Sequence, residues 1–162
     1  MTVLDDIPTK PDKSLVGILK NALIHLEENK QTTKANDYIN AISIAWGERC
    51  ERFKTDPSFQ YPADGMLSAL DYHVGNEGQR RPYRRRILRY IMKYNLPPVL
   101  NPRYMEEWGE PCSQRRYGKL KSVLIGLINS SNFTGEEYNR AKIEWMDDVK
   151  YLDENISELL GE

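Results

Sequence analysis

Residues Gln79–Lys93 read QRRPYRRRILRYIMK. Tyr83, Ile87, Leu88 and Ile91 recur at three- and four-residue steps and, with Tyr94, form one apolar helical side. Arg85, Arg86, Arg89 and Lys93 fall on another side, so charge and apolar surface are segregated. Pro82 suits the first turn, where its missing N–H would have had no helical partner. The stretch therefore predicts an amphipathic helix from about Pro82 to Asn95.

The same periodicity spreads outward in both directions. Leu15, Leu19, Ala22, Leu23 and Leu26 predict a helix over Leu15–Asn29, with Asp12 or Ser14 as its cap and His25 at the edge of its apolar face. Tyr38, Ile39, Ile42, Ala45, Trp46, Cys50 and Phe53 predict a second over Lys34–Phe53. TDPSFQYP breaks it, because each proline disfavours helix in the residue before it. Met66, Leu67, Leu70 and Val74 suggest a short third helix capped by Asp64, with His73 on the same side.

Beyond Asn95, LPPVLNP must be extended, and Pro102 can open a short helix, Arg103–Trp108, that Gly109 and Pro111 stop. Ser113 is the expected cap of a helix over Gln114–Ser130. The last helix starts at Thr134-Gly-Glu-Glu137, a capping-box pattern. It continues through Tyr138, Ala141, Trp145, Val149, Leu152, Ile156 and Leu159, nearly a heptad seam. Unbroken, it would span about 39 Å. No stretch alternates with period two, so no sheet is expected.

The expected fold is all-α: residues 1–13 a flexible leader, since Pro8 and Pro11 deny regular bonding, and residues 14–162 a single helical domain of six or seven helices. A chain of 162 residues can bury one core unaided. Cys50 and Cys112 are far apart and lack the spacing of a zinc site or disulfide framework, which points to reduced thiols and a cytoplasmic setting. The N-terminus has no signal-peptide pattern. The longest apolar-rich run, Val123–Ile128, is too short to span a bilayer, which needs about 20 residues, so no membrane partner is expected.

Charge carries the functional signal. From Gln79 to Lys121 there are 12 Lys/Arg against three acids, a balance of +9; the remainder balances at −10, giving the net −1. Arg80, Arg81, Arg84, Arg85, Arg86, Arg89 and Lys93, with Arg115, Arg116 and Lys119, make up the expected surface for nucleic acid or another acidic partner. Arginine's planar fork suits phosphate, and Tyr83, Tyr90 and Tyr94 could stack on bases. Arg103–Trp108, the GEPCS turn and Gln114-Arg115-Arg116-Tyr117 also resemble a helix-turn-helix motif.

The acidic last helix has two readings. Tyr138, Trp145, Val149, Leu152 and Ile156 can form a homodimer seam, with basic and acidic faces paired between subunits, or they can close the core of one chain. Catalytic candidates are sparse. His25 and His73 have no nucleophile context, and Glu106, Glu107 and Glu110 near Trp108, or Glu48 and Glu51 after Trp46, would need a shared cleft. No phosphate loop, HExxH or GxSxG occurs. Trp46, Trp108 and Trp145 read as core anchors or as the lining of a small pocket. No catalytic residue, metal site or cofactor is expected.

Overall fold

The computed structural model describes residues 3–130 and 135–162. It is all-helical, as expected, and among the described residues there is no strand. The chain groups into two compact units, one of residues 1–71 and 94–105, the other of residues 72–93 and 106–162.

In the first unit, α1 (Val3–Asp6) and a 3₁₀ turn (Ile7–Thr9) precede α2 (Asp12–Glu27) and α3 (Thr32–Phe53), which pack together. The expected rhythm is seen: Leu15, Leu19, Ala22 and Leu23 of α2 are buried with Ile39, Ile42, Ala45 and Trp46 of α3. Asp12 lies inside α2, and its carboxylate accepts from Trp46 Nε1 at 3.0 Å. A short α4 (Met66–Ala69) follows.

Within the segment read as a loose leader, Val3–Asp6 and Ile7–Thr9 form short helical turns. Ile7 is fully buried, and Arg49 of α3 donates to the carbonyls of Ile7, Pro8 and Lys10 while pairing with Asp12 at 2.5 Å. One buried guanidinium thus gives donors to the Pro8 and Lys10 oxygens and a second donor to that of Ile7, which also accepts from Lys10 N at 3.2 Å.

In the second unit, α5 (Arg81–Lys93) packs on α7 (Gln114–Ile128), α8 (Glu136–Glu154) and α9 (Ile156–Leu159). The short α6 (Pro102–Glu107) leads into it. Ser113 caps α7 as expected, its Oγ accepting from Arg116 N at 3.1 Å. α7 and α8 are antiparallel neighbours: Tyr138 at the start of α8 donates to the Ile128 carbonyl at 2.7 Å, and Tyr117 at the start of α7 meets Asp153 near the end of α8. Thr134 of the expected capping box lies outside the described residues.

The last helix does not run unbroken to Leu159. Asn155 sits at φ −116, ψ 16, and its Nδ2 donates to the Tyr151 carbonyl at 2.8 Å. Its backbone N–H donates to the same carbonyl at 3.1 Å, and α8 ends where Asn155 leaves helical backbone angles, after which α9 restarts.

Candidate functional site

The basic segment becomes α5, whose buried side comprises Ile87, Leu88, Tyr90, Ile91 and Met92. That side also carries Arg84, 3% exposed, and this the charge pattern did not anticipate. Its Nε lies 2.9 Å from Asp148 Oδ2 and its Nη2 3.2 Å from Asp148 Oδ1. Nη1 reaches Glu144 at 3.0 Å and the Gln79 carbonyl at 3.1 Å. Tyr72 donates to the same Asp148 carboxylate at 2.6 Å. Burial alone would lower the Arg84 pKa, but the Asp148 hydrogen bond and the charges of Asp148 and Glu144 hold it raised. Tyr72 titrates far above its usual range because it is buried beside that carboxylate. Arg84 is therefore an interior residue and is withdrawn from any partner surface.

Arg116 is withdrawn for a different reason. It is 3% exposed, and its guanidinium donates to the carbonyls of Trp108 (2.9 Å), Ile91 (2.5 Å) and Gly109 (2.9 Å). These oxygens lie near helix ends, where no following N–H reaches them. In the helix-turn-helix reading Arg116 would have faced bases; here it fastens the end of α5 to the turn before α7.

The remaining cations form a ridge along α5. Arg81, 61% exposed, meets Asp147 at 2.8 Å, and Arg85 meets the same oxygen at 3.6 Å while lying over the Tyr151 ring at 4.7 Å. Arg84 Nη2 is also 3.8 Å from it. Arg89 grips Glu158 with both Nη atoms, at 2.5 and 2.8 Å, and Lys93 reaches that carboxylate at 3.4 Å. The Arg89 fork holds the Glu158 carboxyl below its ordinary pKa, and Lys93 adds to the effect. Arg80 is exposed and stacks on Tyr83 at 5.2 Å. Arg86 is half-buried, Arg115 exposed, and Lys119 paired with Glu107 at 2.8 Å.

Carboxylates are scarcer than cations on this ridge. Asp147 serves three arginines, and Glu158 serves two cations. Glu144 is divided between Arg84 and Arg140. Among the described residues, Arg81, Arg84, Arg85, Arg89 and Lys93 thus share four carboxylates, with exposed Arg80 beside them.

The five residues of the heptad-like seam face inward or sit at the edge of their own unit. Leu152 is fully buried and Trp145 is 7% exposed; Tyr138, Val149 and Ile156 are half-buried. The outer side of α8 instead carries Ile143 and Met146, which the seam did not include.

His25 is half-buried on α2, and His73 is exposed and donates its backbone N–H to Gln79 Oε1. Among the described residues no group of three His, Cys, Asp or Glu is placed to hold a metal. Trp46, Trp108 and Trp145 are all buried. No described helix is long and apolar enough to cross a membrane. The chain matches no protein-family model, no curated protein and no solved structure.

Proposed function

We propose that this chain is a non-enzymatic helical binding protein that takes a polyanion, nucleic acid first among them, on the exposed rim of α5. The residues are Arg80, Arg81, Arg85, Arg86, Arg89 and Lys93, with Arg115 and Lys119 on α7. Arg84 and Arg116 are excluded because both are spent inside the fold. The observation that carries the reading is the sharing of Asp147 among three arginines, one of them 61% exposed. A solvent-exposed ion pair is worth about 0–1 kcal/mol, so internal pairing at the rim is a weak competitor for several phosphates at once.

The test is fluorescence anisotropy with a labelled oligonucleotide across a salt series. Binding should weaken steeply with salt, with a log–log slope of about −4 to −5 if five or six phosphates are neutralised. Arg81→Glu with Arg85→Glu should abolish it while the helical circular dichroism is retained. Absence of binding at low salt sinks the reading.

A further inference from the structure

The carboxylates that meet the cations of α5 are not equally well matched to them. Asp148 takes two aligned hydrogen bonds from Arg84, at 2.9 and 3.2 Å, and Glu158 takes both Nη atoms of Arg89. Asp147 differs. Its Oδ2 has Arg81 Nε at 2.8 Å, Arg85 Nη2 at 3.6 Å and Arg84 Nη2 at 3.8 Å, yet this buried atom accepts no hydrogen bond. Three donors are near and none is aimed, and a hydrogen bond weakens steeply once its angle falls below about 120°. Arg85 carries the other half of the mismatch: its Nε is buried and has no acceptor, while the guanidinium lies over the Tyr151 ring. Buried polar groups are normally satisfied, so an unaimed carboxylate beside a guanidinium with a donor to spare is a poor fit.

Asp147 can also be given up without loss to the interior. Arg84 keeps Asp148, Glu144 and the Gln79 carbonyl when Asp147 is gone. The two arginines that would be released stand at the rim: the Arg81 side chain is 61% exposed and that of Arg85 34%. They lie four residues apart on α5, about 6 Å between their Cβ atoms, so both can reach neighbouring phosphates of one strand. A phosphodiester offers two oxygens to a guanidinium fork, the bidentate match that Asp147 does not make.

We infer that Asp147 is a resident competitor at the polyanion site: its carboxylate stands where a ligand phosphate would, holds Arg81 and Arg85 off the ligand, and so sets the affinity of the rim. The inference rests on the polyanion reading and adds to it a residue that opposes binding. The consequence is selection by charge density, because a ligand has to offer both arginines more than Asp147 does.

The experiment repeats the labelled-oligonucleotide titration across a salt series with three variants of the full chain. Asp147→Asn keeps the shape and removes the charge, and Asp147→Ala also avoids the amide's own N–H groups. Each should bind about two- to fivefold tighter than the wild type, the worth of an exposed ion pair. Each should also steepen the log–log salt slope by about 0.7–0.9, the share of one further phosphate. Glu136→Gln is the control, an exposed acid on the same helix about 16 Å away, beyond the Debye length of about 8 Å at physiological salt. It should bind as the wild type does. The Asp147 variants should unfold at nearly the wild-type temperature, whereas loss of a merely structural carboxylate would lower stability and binding together. Asp147 variants no tighter than the wild type overturn the inference and leave the polyanion reading in place. So does an equal gain in Glu136→Gln, which would assign the effect to net charge. If no protein of the set binds at low salt, the polyanion reading falls and the inference falls with it.

Discussion

Arg84 and Asp148 meet fork to carboxylate, 2.9 and 3.2 Å apart, with the arginine 3% exposed and the aspartate fully buried. An ion pair so placed gains little over an apolar pair of the same volume, but either half left alone is a buried, uncompensated charge. Arg84→Met and Asp148→Leu should each cost about 3–5 kcal/mol by denaturant unfolding. The double variant should cost less than either, and a purely additive loss would show that the two residues do not act as a pair.

Arg116 tests another kind of buried cation, one whose partners are backbone oxygens. Arg116→Leu strands the carbonyls of Ile91, Trp108 and Gly109 together. At about 1–3 kcal/mol for each buried acceptor left without a donor, partly offset by relaxation, a loss of at least about 2 kcal/mol is expected. Arg116→Lys should restore only a fraction, because an ammonium cannot reproduce the fork. Thermal unfolding of the three proteins decides it.

The Glu158 carboxyl titrates below its usual 4.5 because of the Arg89 fork. Its folded-state value is depressed, so its contribution to stability is present above 4.5 and is lost as the pH falls through the lower folded value. Glu158→Gln should therefore unfold at lower temperature than the wild type near neutrality, and the gap should close as the pH drops below 4.5. A gap independent of pH would mean that the glutamate acts through packing alone. The effect is small, because the pair is half open to water.

Gly78, just before α5, tests the turn that positions the arginine ridge. A Cβ there would stand 2.6 Å from the His73 carbonyl oxygen and from the Val74 backbone. Backbone cannot swing aside as a side chain can, so Gly78→Ala should cost about 1–3 kcal/mol. If the proposed function is right, it should also weaken oligonucleotide binding without touching a cation.

Helix positions were legible from apolar spacing, since Leu15, Leu19, Ile39, Ile42, Ile87 and Leu88 each fall where the three- and four-residue rhythm puts them. The Ser113 cap was legible from its side-chain chemistry. The buried charges were not, because arginine and aspartate default to the surface in any composition argument. A signal for them was present. Arg84 lies three residues before Ile87 and four before Leu88, and Asp148 lies three after Trp145 and four before Leu152. Each therefore sits on its own helix's apolar stripe, and opposite charges on two such stripes mark a pair of interior partners. Arg49, four residues after Ala45 and three after Trp46, carries the same mark. The break at Asn155 was hidden for the opposite reason: the seam residues on either side keep the helical rhythm, and only the backbone angles of one residue depart from it.

Arg49 has a practical side. Short N-terminal stretches rich in proline are often clipped by proteases, or removed at the bench, on the view that nothing depends on them. Cutting before Asp12 here would remove Ile7 from the core and take away the carbonyls of Ile7, Pro8 and Lys10, leaving one side-chain partner for a guanidinium that is 8% exposed. Such trimming would act as a core mutation of α3 made from a distance. Resistance of this end to limited proteolysis would then report the integrity of the first unit.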